Sequence, residues 1–110
     1  MAISPKCKPI ASSGLMAYLA IDDALEAIRE EDYKEAYSAC GNAIGHFNTM
    51  FINKNITPEE LVNVTAPLIA AKGAYDFNNK DRMFEEVLGA METTKEFIFQ
   101  KVVACECEGR

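Results

Sequence analysis

His46 is the only histidine in the chain, so any Ser-His-Asp or Cys-His nucleophilic arrangement has to pass through it. Helical spacing groups it with Asn42 and Thr49 on a polar face, away from Cys40, which predicts a solvent-facing side chain rather than a general base. Position 43 is Ala, and this removes the Glu-x-x-His ligand pair of carboxylate-bridged di-iron bundles. Cys105-x-Cys107 is the one cysteine spacing that suggests a soft metal or a redox pair, because accessible thiolates are good ligands and nucleophiles. A structural zinc takes four ligands from paired elements. Cys7 and Cys40 are single and distant, so Cys105 and Cys107 stand as the sole metal candidates and no cofactor is expected. Glu85, Glu86, Glu92 and Glu96 share one flank with Lys95 interleaved, the pattern of a solvated stripe rather than a desolvated acid/base pair. The glycines form no G-x-G-x-x-G or Walker sequence. The chain reads as non-enzymatic.

The elements that would position these residues are helices. Residues 1–12, with Pro5 and Pro9, read as an extended arm. Ser12 or Ser13 then caps a first helix carrying Leu15, Tyr18, Leu19, Ala24, Leu25 and Ile28 at apolar spacing, ending near Arg29. Asp32-Tyr33-Lys34-Glu35 has the form of a capping box and opens a second helix with Ala36, Tyr37, Cys40, Ile44, Phe47 and Phe51 on its apolar face. Thr57-Pro58-Glu59-Glu60 is the sharpest boundary: a Thr cap, Pro at the first helical position and two carboxylates at the positive end of the helix dipole. The third helix runs to about Phe77, with Pro67 expected to kink it near Asn63. Asn78-Asn79-Lys80-Asp81 caps a fourth helix to about Ala104, and residues 105–110 are expected to fray as a flexible tail. Four helices with short connections predict an all-α, antiparallel up-down-up-down bundle over residues 13–104, with an extended N-terminal arm.

Residues Glu31 to Ile44 resemble the junction of a tetratricopeptide repeat, with Asp32-Tyr33 opening the second helix and Ala36, Cys40 and Ala43 at that family's small and aromatic positions. The chain departs from the family at Ala20, Asp23, Ala24 and Ala27, where the first helix should carry a Trp/Leu/Gly/Tyr pattern, and at Asn48, where the closing Pro should stand. No second copy lies one repeat further on, so no repeat stack is expected.

Composition bounds the rest. Of 110 residues, 49% are hydrophobic and 25% charged, with a formal net charge of −6; these are ordinary values for one globular domain. An acidic surface without clustered basic residues argues against nucleic acid as a partner. The longest apolar stretch, Val62 to Ala71, is too short and too interrupted for a membrane span. The N-terminus lacks the continuous apolar region of a secretory signal. A cytoplasmic protein with four reduced cysteines is therefore expected.

What remains is apolar surface in excess. The third helix is apolar around most of its girth, and Phe99 and Val103 fall on the acidic flank of the fourth. Val62, Ala66, Ile69, Phe99 and Val103 are thus the expected interface of a homodimer or other protein complex. The alternative is a bundle that holds a small apolar ligand lined by Tyr18, Tyr37, Tyr75 and Met91.

Overall fold

Four helices and no strand make up the described residues, 4–108 in this computed structural model. α1 spans Lys8–Arg29, α2 Tyr33–Ile52, α3 Pro58–Asp76 and α4 Lys80–Glu108. Each helix packs on the next in sequence, and α4 packs back on α1, so the four form a ring of neighbours around one core. No helix among the described residues is long and apolar enough to cross a membrane.

The three turns share one hydrogen-bonding scheme. After α1, the Asp32 N–H donates to the Ala27 carbonyl (2.8 Å) and the Glu31 N–H to that of Ile28 (2.9 Å). Asn55 and Lys54 repeat the pair on Met50 and Phe51 after α2, and Asn79 and Asn78 on Ala74 and Tyr75 after α3. This is the Schellman closure, which satisfies the last carbonyls of a helix at the cost of one left-handed residue. That residue is Glu31, Lys54 or Asn78, with φ of 61°, 62° and 59°. Asp32 and Asn79 each end one helix and cap the next, accepting from the N–H groups of Glu35 (3.2 Å) and Arg82 (3.1 Å). Within the expected Asn78-Asn79-Lys80-Asp81 stretch the cap of α4 is therefore Asn79, which the turn leaves in the cap position.

α3 opens as expected on a complete capping box. The Glu60 N–H donates to Thr57 Oγ1 (3.1 Å), and the Thr57 N–H donates to Glu60 Oε1 (2.8 Å). The same carboxylate pairs with Lys101 Nζ of α4 at 3.2 Å. Burial pushes the Glu60 carboxyl up, but the hydrogen bonds from Thr57 and Lys101 outweigh it and leave the group below its usual range. Pro67 lies inside an unbroken α3.

The core is built from small residues. α1 turns Gly14, Ala17, Ala20, Ala24 and Ala27 inward beside Ile21, Leu25 and Ile28, and α2 adds Ala36, Ala39, Cys40 and Ala43. The large side chains in the centre are Ile21 of α1, Phe47 and Met50 of α2, Leu68 of α3, and Met83 and Val87 of α4. Small faces let helix backbones approach closely; at Gly14 an added Cβ would lie 2.8 Å from Ile98 Cγ1. Leu15 and Leu19, expected in the core, are consequently turned out and half exposed. The helical period of α1 was legible, but which of its two apolar faces turns inward depended on the size of the neighbours' side chains.

The ends differ most from expectation. α1 begins at Lys8 rather than at Ser12 or Ser13, with Pro9 in its first turn where a missing N–H costs nothing. α4 continues through 105–108, so these residues are helix and not a flexible tail. A disulfide joins Cys7 to Cys105 across 98 residues of sequence with the Cα atoms 5.9 Å apart. The Ser4 N–H donates to Glu106 Oε1 (2.7 Å) beside it. The expectation of four reduced thiols is thereby corrected: only Cys40 and Cys107 are free. Residues 1–3 of the expected arm and 109–110 of the expected tail lie outside the described residues.

Candidate interaction surface

α1 is a ridge between two grooves. Leu15, Met16 and Leu19 project from it, each at least half exposed. On its α4 side, Ala11, Leu15 and Tyr18 face Ile98, Phe99 and Val102 across a groove of about 470 Å³, with Lys95 the one charged residue in the lining. Phe99 is 70% exposed, and Val103 on the next turn is also exposed. These two residues share their stripe with the exposed free thiol of Cys107, since all three are spaced by four. Lys95, read in sequence as one member of a solvated stripe, is exposed and also borders this groove.

On the α2 side, Met16, Leu19, Ala20 and Asp23 face Gly41, Asn42, Gly45, His46 and Thr49 around about 530 Å³. His46 is half-buried here rather than fully in solvent. The Thr49 hydroxyl donates to the Gly45 carbonyl of its own helix (3.1 Å). No hydrogen bond among the described residues joins His46 to Asp23 or Thr49.

The other residues singled out in sequence fall into separate places. Val62 and Ile69 on α3 are 62% and 58% exposed, and Ala66 lies exposed between them. They form an outward stripe on one helix, remote in sequence from the α1/α4 groove and not among its lining. The Tyr37 and Tyr75 rings meet tilted at 43° with their centroids 4.9 Å apart, and the Lys72 ammonium lies 4.7 Å from the centre of the Tyr37 ring. Met91 packs half-buried on the core, and Tyr18 lines the α1/α4 groove. The four ligand-lining candidates thus do not converge on one cavity. Cys105 is held in the disulfide, so the Cys105-x-Cys107 pair is not a dithiol. No group of three or more potential metal ligands occurs among the described residues.

Sequence reasoning found Phe99 and Val103 because their spacing conflicts with the acidic flank around them. It missed Leu15, Met16 and Leu19, whose period is the same whether they face in or out. The only signal was the run Gly14, Ala17, Ala20, Ala24, Ala27, a second and smaller face on the same helix. No protein-family model matches this chain, and no curated protein or solved structure is significantly similar to it.

Proposed function

We propose that this protein is a non-enzymatic helical bundle that acts by self-association through the α1/α4 face. The observation that carries the reading is the exposure of Leu15 and Phe99 around an apolar groove that one charged side chain borders. A helix apolar on both faces is one that a neighbour should cover, and contiguous exposed apolar residues mark interfaces. A ridge beside a groove is also self-complementary, as a two-fold interface has to be. The α3 stripe of Val62, Ala66 and Ile69 is the lesser face, because it belongs to a single helix and lines neither of the grooves beside α1.

The helix order that fits this reading is up-down-up-down. Connections of three to five residues favour antiparallel neighbours, and the Cys7–Cys105 crosslink brings the start of α1 to the end of α4. The crosslink also supports an oxidising compartment in place of the cytoplasm, whose thiol buffers keep such pairs reduced.

Light scattering after size-exclusion chromatography tests the assembly. The expected particle has twice the 12.1 kDa mass of one chain. Phe99→Glu or Leu15→Glu should return it to a monomer, whereas Val62→Glu should leave the dimer intact. A wild-type monomer at high protein concentration would overturn the reading.

A further inference from the structure

We propose that the cavity where the turn before α1, the α2–α3 loop and the last turns of α4 meet binds a small phosphate-bearing ligand. The cavity measures about 370 Å³ and is lined by Lys6, Ile10, Lys54, Asn55, Lys101, Ala104 and Cys105. Three of the chain's 11 basic residues thus converge on one concavity of a protein whose net charge is −6. Among the described residues no acidic side chain is in the lining.

Lys101 is anchored by its ion pair to Glu60 (3.2 Å), which fixes one ammonium at the wall. Lys6 and Lys54 make no ion pair among the described residues, so their charge is available to a ligand. The start of α1 adds to the same field. Its first turn holds no acidic residue and its N-cap, Cys7, supplies no side-chain hydrogen bond, so nothing within α1 itself offsets the positive end of its dipole; the carboxylate beside it is that of Glu106 of α4, already engaged by the Ser4 N–H at 2.7 Å. Lysine is a compact point charge suited to phosphate oxygens. The amide of Asn55 is a further donor, and Ile10 and Ala104 give the wall an apolar part. The volume exceeds what a bare phosphate fills, so the fitting class is a phosphomonoester or diphosphate with a small organic remainder.

The disulfide assembles this site. Lys6 precedes Cys7 directly, and Lys101 stands one helical turn before Cys105, so the crosslink holds two of the three lysine-bearing segments together. Reduction should release the Lys6 segment and weaken binding, which would make anion affinity depend on redox state.

The test is a titration of the intact oxidised protein with pyrophosphate, followed by amide chemical shifts. Saturable shifts at Ile10, Asn55 and Ala104 are expected. Lys54→Ala and Lys6→Ala should each weaken the affinity about tenfold, the effect of losing one charge-assisted hydrogen bond, while Lys34→Ala, outside the cavity, should change nothing. Thermal melting of each variant checks that it is folded. A parallel arm uses vesicles doped with phosphatidic acid. Binding to them that pyrophosphate displaces would assign the phosphate to a lipid headgroup; pyrophosphate binding without vesicle binding would assign it to a free solute. No saturable shifts in the oxidised protein, or an equal loss in Lys34→Ala, would overturn the proposal.

Discussion

Cys40 and Cys107 are the two thiols outside the crosslink, and their surroundings make them chemically unlike. Burial raises the Cys40 thiol from 9.0 to about 11, with Lys72 opposing it only in part. Its proton is therefore held more tightly in the folded chain than in the unfolded one. The stability linked to it is fully present below pH 9 and declines as pH rises toward 11. Ellman's reagent at neutral pH should count one thiol in the native, unreduced protein and a second only after denaturation. A count of four after denaturation alone would show that Cys7 and Cys105 are not paired. Thr94 is the other residue whose setting invites a test. It is fully buried and its hydroxyl has no hydrogen-bond partner among the described residues. An unsatisfied buried hydroxyl costs on the order of 1 kcal/mol or more, so Thr94→Val should raise the urea midpoint.

At the scale of the helices, the turns carry strain that a single substitution can relieve. Glu31 adopts a left-handed conformation (φ 61°) that an L-residue with a Cβ pays roughly 1–2 kcal/mol to enter. Glycine enters it freely, although it loses more backbone entropy on folding. Glu31→Gly should therefore stabilise the protein by about 0.5–1 kcal/mol in urea unfolding. Asn78→Gly should gain less, because asparagine already tolerates this region. The starts of α2 and α3 were legible for a related reason. Thr57-Pro58-Glu59-Glu60 and Asp32-Tyr33-Lys34-Glu35 specify caps through bonds that span three residues, and both caps are present. Glycine, the usual sign of a Schellman turn, occurs at none of the three left-handed positions, so only the Asn-rich composition around Lys54 and Asn78 hinted at those turns.

For the molecule as a whole, the Cys7–Cys105 crosslink closes nearly the entire chain, 98 residues apart in sequence. Constraining a loop of that length in the unfolded state stabilises the fold by about 3–5 kcal/mol. Cys7→Ser with Cys105→Ser, or mild reduction, should lower the thermal midpoint accordingly and fray the first turn of α1 and the last of α4. Differential scanning calorimetry with and without reductant measures this. An unchanged midpoint would show that packing alone holds the two termini.

Helix number, the apolar period and the capped starts of α2 and α3 were determined by the sequence, because each rests on interactions within a few residues. So was the conflict at Phe99 and Val103, where apolar side chains interrupt an acidic flank. The disulfide, the outward turn of Leu15 and Leu19 and the meeting of Lys6, Lys54 and Lys101 were decided by tertiary structure. Each depends on which distant segments become neighbours. In α1 the deciding physics is packing: the Gly14, Ala17, Ala20, Ala24 and Ala27 face lets α2 and α4 approach more closely than leucines would, and that approach leaves Leu15, Met16 and Leu19 outside.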